Sequence, residues 1–212
     1  MNEKIEKGAS TRDRIIQTAR RLFTASGYDG TSTETVLRES GVSRGALYHH
    51  FDNKQALFAA VLEAVEADIA VATARASANI DDPVDALRAA FDAFLGMACE
   101  PEVRQIVLID AHSVVGWQKW REIDERHGFG RLKAGLKKIA ATGRMRPDLV
   151  DIFAHMLLAS LFEVAFLIAR SPDPAETLNT GRTAMNELLT RLLAVGVGPR
   201  PAPFSAASTD YS

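Results

Sequence analysis

The chain has 212 residues, 47% of them hydrophobic and 25% charged, enough to bury a sizeable core, which excludes disorder throughout. Its formal net charge of -2 gives no overall attraction to a polyanion, and its single cysteine, Cys99, excludes an internal disulfide and a thiolate cluster for structural zinc. A reducing cytoplasm fits that thiol count, and the opening MNEKIEKGAS lacks the apolar stretch of a secretory signal.

The periodicity predicts a first helix from Thr11 to Ser26, with Ile15, Ile16, Ala19, Leu22 and Phe23 on one face and Gly27 ending it. A short second helix is expected from Thr33 to Ser40, where Gly41 breaks it, and Ser43 can cap a third, SRGALYHHF. Asp52-Asn53 make a turn before a longer helix from Lys54 to Ala78. Beyond Asp81-Asp82-Pro83, one face carries Leu87, Phe91, Phe94, Leu95 and Ala98. Further helices are expected over 102–115, 117–141, 148–170 and 175–195, broken at Gly116, Thr142-Gly143 and the turn SPDP. No strand pair with hairpin chemistry stands out, so the fold class is all-α. The last segment, 197–212, is rich in Pro, Ser and Ala and is expected to be disordered.

Charge is unevenly spread along this pattern. Residues 1–58 hold nine Lys/Arg against seven Asp/Glu, or +2, and the remainder holds sixteen against twenty, or -4. That asymmetry suits a chain of which one end meets a polyanion.

The two short helices around Gly41-Val42-Ser43 match a helix-turn-helix, in which the second helix enters the major groove. Val36, Val42 and Leu47 fall where they would hold the pair together, and Phe51 would anchor the third helix in the core. Ser43, Arg44, Gly45, Ala46, Tyr48 and His49 remain for an outer face. Gly45 and Ala46 let the backbone approach base edges, Arg44 can reach guanine or phosphate, and Tyr48 and His49 can donate to phosphates. Lys54 adds a cation at the start of the next helix. The same stretch satisfies the G-x-S-x-G pattern of a hydrolase nucleophile elbow. An elbow needs an apolar strand before the serine, whereas TVLRES carries Arg38 and Glu39 at helical spacing, so no enzyme is expected.

TRDRIIQTARRLF followed by GYDGTSTETVLRESGVSRGALYHHFDNKQALFAAVL, over residues 11–62, resembles the DNA-binding domain of TetR-family transcriptional regulators. The resemblance implies a three-helix helix-turn-helix domain over 1–58 and a larger helical domain over 59–196 for effector binding and dimerisation. It implies a cytoplasmic homodimeric repressor that binds double-stranded operator DNA and is released by a small hydrophobic effector. Carried over by position, Thr31 and Thr33 would contact phosphates; Ser43, Arg44, Gly45 and Ala46 would face bases or adjoining backbone; and Tyr48, His49 and Lys54 would grip phosphates. Leu37 stands where the family usually has a small alanine, so helix two would cross helix three slightly farther away.

The family packs its last two long helices against a partner, which here are 148–170 and 175–195. The first contains IFAHMLLASLFEVAFLIA, 18 residues that are apolar almost all round and interrupted by His155, Ser160 and Glu163. Burial on several sides suits it better than a membrane span, and no membrane partner is expected. Phe94, Met97, Trp117, Trp120, Phe162 and Phe166 are the candidate ligand-binding residues, as soft and aromatic side chains able to line an apolar cavity, with Asp110, His112, His155 or Glu163 as polar anchors. Asp110 and His112 lie on different helix faces, and no phosphate loop or dinucleotide fingerprint is present, so neither a metal nor a cofactor is expected.

Overall fold

The computed structural model describes residues 2–194, with side chains for 10–193; the segment expected to be disordered, 197–212, lies outside the described residues. Nine α-helices follow one another among these residues, with no strand. The first four are α1 (Asn2–Ser26), α2 (Thr33–Ser40), α3 (Arg44–His50) and α4 (Lys54–Ser77). The others are α5 (Pro83–Met97), α6 (Ala111–Asp124), α7 (Gly130–Ala141), α8 (Val150–Arg170) and α9 (Pro174–Ala194). α1 begins at Asn2 rather than Thr11, through a stretch rich in the good helix formers Glu and Lys.

Local signals set most boundaries. Ser32, Ser43, Asn53 and Asp82 each accept a hydrogen bond from a backbone N–H in the first turn of the helix they precede. Gly41 ends α2 at φ 66°, and its N–H closes onto the Leu37 carbonyl.

The expected helices over 102–115 and 117–141 are more broken than their periodicity suggests. Val103–Asp110 and Glu125–Phe129 are π-helical, with i→i+5 wide turns on either side of α6. Within α6, Gly116 adopts φ 77° and ψ 161°, which kinks the helix where a break is expected and a side chain would be strained.

One continuous hydrophobic core runs through the molecule. At the N-terminal end Ile15, Ala19, Phe23, Val36, Leu47, Leu57 and Phe58 are each fully enclosed, and Phe51 is 4% exposed. Phe58 meets Phe23 edge to face at 5.2 Å and Tyr28 at 5.4 Å. Hence the first turns of α4 belong to the core of α1–α3, while the same helix runs on unbroken into the C-terminal body. Three polar ties reinforce that junction. Arg20 on α1 reaches both carboxylate oxygens of Glu102 at 2.5 Å and Asp68 at 2.6 Å. The Tyr28 N–H donates to Asp110 Oδ2 at 2.8 Å, and Gln55 Nε2 donates to the Val114 carbonyl.

α8, with the turn before it, is long and apolar enough to cross a membrane by length and composition. Here Ala154, Leu157, Leu158, Leu161, Phe162, Ala165, Ile168 and Ala169 are buried within the protein, and Ile152, Met156 and Leu167 are exposed. On α9, Met185 and Leu189 face inward and Leu188 outward.

Candidate nucleic-acid interface and interior cavity

Val36, Val42 and Leu47 are buried between α2 and α3, as their positions require, and they fix which face of α3 looks outward. On that face Ser43, Arg44, Gly45, Tyr48 and His49 are exposed and Ala46 is half-buried. Ser43 Oγ accepts from the Ala46 N–H at 3.2 Å, so the hydroxyl proton still points elsewhere. A methyl group added at Gly45 would meet nothing within 4 Å, so the backbone there is open to close approach. Tyr48 is 40% exposed, large for a side chain on a seven-residue helix packed on its other side.

Arg44 donates to Glu34 Oε1 on α2 at 3.0 Å, with both side chains largely in solvent. The Glu34 carboxyl is held below its usual range by its own backbone N–H and then by Arg44. Thr33 is half-buried and its hydroxyl donates to Glu34 Oε2 at 3.2 Å.

Thr31 and Lys54 sit differently from the other candidates. Thr31 is 3% exposed, and its hydroxyl turns inward to the carbonyls of Gly27 and Leu22, where it satisfies the C-terminal end of α1. Lys54 donates to the carbonyls of Tyr28 and Thr31 at 2.7 and 2.9 Å and lies 3.9 Å over the Tyr28 ring. Two of its three N–H groups thus clamp the α1–α2 loop. The threonine at 31 and the lysine at 54 fix where Thr33 and α2 begin.

A second feature lies in the body. A cavity of about 420 Å³ opens among α4, α5, α7 and α8, walled by Ile69, Leu87, Phe91, Phe94, Leu161 and Phe162. Of the aromatic and sulfur side chains read from sequence as an apolar lining, Phe94 and Phe162 face this space. Met97, Trp117, Trp120 and Phe166 do not line it. Instead the two tryptophans gather with His112 beside Gly116: His112 stacks on Trp117 at 5.7 Å and lies 4.3 Å from Trp120. Burial lowers the pKa of His112. The kink at Gly116 turns Trp117 outward, to 62% exposure.

The other polar anchors are also engaged elsewhere or exposed. Asp110 ties the body to Tyr28, His155 meets Arg121 at 2.6 Å, and Glu163 is exposed.

Two polar side chains of the cavity were not singled out by the sequence reading. Glu66, 3% exposed, and Asp124, 1% exposed, both line it. Glu66 Oε1 and Asp124 Oδ2 have no hydrogen-bond partner within the protein. Burial, and then the proximity of Asp124, pushes the Glu66 carboxyl up to about 8; burial pushes Asp124 up to about 6 against the pull of Arg121. For Glu66 a sequence signal existed, because it interrupts the apolar stripe Leu62, Ile69 and Ala70 at helical spacing. Asp124 likewise falls one turn after the buried Trp120 and beside the buried Ile123 on α6. Among the described residues no cluster of three His, Cys, Asp or Glu side chains is placed to hold a metal ion.

Known proteins match this arrangement at both ends. The family model described as bacterial regulatory proteins, tetR family, matches residues 15–61, and that of the tetracyclin repressor-like C-terminal domain matches residues 84–192, just over half the chain. The Transposon Tn10 TetC protein of Escherichia coli is 24% identical over 168 residues, covering 77% of this chain and 83% of that protein. The HTH-type transcriptional repressor AcnR of Corynebacterium efficiens is 26% identical over 170 residues, covering 74% and 81%. The crystal structure of a TetR-family transcriptional regulator from Pectobacterium atrosepticum superimposes with a TM-score of 0.77 at 31% identity, covering 90% of this chain and 98% of that one. A capped helix-turn-helix with an exposed polar third helix, followed by a helical body matched along most of its length, assigns this chain to the TetR family of DNA-binding transcriptional regulators, which are not enzymes.

Proposed function

We propose that the protein is a cytoplasmic homodimeric repressor, whose third helix reads an operator and whose body releases it when a small molecule enters the cavity. The observation that carries the DNA-reading half is the face of α3: five exposed residues, one of them a glycine with open space above it, behind a turn fixed by Gly41 and Ser43. Arg44 addresses a base edge or phosphate, Gly45 and Ala46 admit the duplex closely, and Ser43, Tyr48, His49 and Thr33 donate to the backbone. Thr31 and Lys54 act through the loop they hold, Lys54 retaining one N–H for a phosphate.

Residues 1–58 form the reading head and 59–196 the body, with α4 passing between them. The partner subunit packs on α8 and α9, where Ile152, Met156, Leu167 and Leu188 are exposed apolar side chains. A two-fold axis there gives the two α3 helices the symmetry of a palindromic site. The matched repressor AcnR supports the sign of regulation.

A gel-shift titration against duplex from the chain's own upstream region tests the head. Arg44→Ala and Tyr48→Ala are each expected to weaken binding about tenfold or more, equivalent to about 1–3 kcal/mol for Arg44 if it makes a bidentate base contact. Full affinity in both variants overturns the assignment.

A further inference from the structure

We propose that the cavity is built for an apolar amine, whose ammonium group seats against the Glu66 and Asp124 carboxylates while its aromatic or alkyl remainder lies along Phe91, Phe94 and Phe162. The inference deepens the proposed function, since it names the chemical class of the molecule that the body would sense.

Burial of two acids in one cavity is costly unless something compensates them. α5 and α8 bring no charged side chain to the cavity: their contributions include Leu87, Ala90, Phe91, Phe94, Leu158, Leu161 and Phe162. α4 adds Thr73 and Ser77, whose hydroxyls both donate to carbonyls of their own helix. The remaining charges that line it, Asp81, Arg131 and Lys138, are exposed and therefore screened by solvent.

Arg121 approaches Asp124 Oδ2 at 3.9 Å, beyond hydrogen-bond reach, and is otherwise engaged by His155 and the Phe129 ring. Thus one oxygen of each acid remains without a hydrogen-bond donor, in a pocket whose α5 and α8 walls are apolar. A cation with N–H donors satisfies both, whereas an alcohol offers one donor and an anion offers none and adds a negative charge beside the Asp124 carboxylate. Gly128 fits the same picture: a Cβ there would stand 2.9 Å from Asp124 Oδ1, so the small residue leaves the acid its room.

The chemistry also predicts a proton count. With its carboxyl raised to about 8, Glu66 is mainly protonated at neutral pH. An arriving ammonium stabilises the carboxylate, so the carboxyl proton leaves to the buffer as the ion pair forms. No covalent bond changes.

Calorimetry of the full chain with phenylbutylamine, phenylbutanol and phenylbutyrate, which share one skeleton, tests the site. The amine is expected to bind at least about tenfold more tightly than the alcohol, or about 1.4 kcal/mol, and the acid least. Amine binding at pH 7 is expected to release about one proton, read as a dependence of the heat on buffer ionisation enthalpy. Glu66→Gln should remove both the preference and the proton release while retaining alcohol binding, which shows that the cavity is intact; Asp124→Asn should reduce the preference.

Equal binding of amine and alcohol, no amine binding up to millimolar concentration, or an amine preference that survives Glu66→Gln overturns the amine site. A gel shift run alongside separates the two readings: amine binding that leaves the operator complex untouched refutes the effector role and leaves the amine site standing.

Discussion

In the reading head, the buried polar groups end on partners supplied by the chain. Thr31 closes on the carbonyls of Gly27 and Leu22, and Lys54 closes on those of Tyr28 and Thr31. In the body, Glu66 and Asp124 are as buried as Thr31 and more so than Lys54, yet each keeps an oxygen without a hydrogen-bond partner. The head resolves its polarity internally and turns a fixed face outward, as a surface that must match a rigid duplex requires. The body stores unresolved polarity next to a cavity, the arrangement of a site completed by something else. α4 carries both conditions along one helix, from Lys54 near its start to Glu66 in its middle.

The comparison breaks if the two regions do not share one core. Phe58→Ala, at the enclosed contact with Phe23 and Tyr28, is expected to destabilise the chain by about 3–5 kcal/mol. Denaturant unfolding followed by far-ultraviolet circular dichroism checks this. A single transition at lower midpoint sustains a continuous core, and two transitions show that head and body unfold separately.

A smaller effect distinguishes the resolved acids from the unresolved ones. In the folded chain the Glu66 carboxyl keeps its proton up to about pH 8, whereas the unfolded chain loses it near 4.5. Between those values the folded state binds more protons, so stability is highest at the acid side of the window and falls as pH rises through it, by at most about 1.4 kcal/mol per pH unit. Glu66→Gln should flatten that slope in urea titrations performed from pH 5 to pH 8. An unchanged slope would mean that Glu66 is not the group responsible.

The smallest effect concerns the turn of the head. Gly41→Ala is expected to cost about 1 kcal/mol, because the residue sits at φ 66° and a Cβ there has open space, leaving backbone strain as the only penalty. A thermal midpoint equal to that of the original chain would contradict this account.

Much of the head was legible in the sequence because its signals are local. A serine three residues before an N–H needing an acceptor, a glycine at a left-handed turn and apolar side chains at helical spacing each act within one or two turns. They placed α2, α3 and the outward face of α3 from sequence. Thr31 and Lys54 escaped that logic: their partners are carbonyls of the last turns of α1 and of the α1–α2 loop, and nothing in their own neighbourhood says that a hydroxyl and an ammonium point inward.

The body was legible in outline only. Its helices followed from periodicity, yet the π-helical turns at Val103–Asp110 and Glu125–Phe129 rotate side chains out of the register that a regular helix implies. Aromatic type therefore could not tell Phe94 and Phe162, which line the cavity, from Trp117 and Trp120, which gather around the kink at Gly116. Glu66 and Asp124 each stand as a charge at helical spacing among buried apolar side chains, but spacing within one helix does not say that the two acids meet at one cavity.

The pairing of Arg44 with Glu34 has a consequence for selectivity. In the free protein the Glu34 carboxylate already engages Arg44, so if Arg44 makes the contact proposed for it, DNA enters as a competitor and exchanges one ionic partner for another. A duplex that offers Arg44 a single poorly placed phosphate gains little from that exchange. One that presents the paired acceptors of a guanine edge gains more, because the guanidinium can then engage two at once. Under that proposal Glu34 sets a threshold that bears on all duplexes alike, and the affinity remaining above it depends more strongly on sequence.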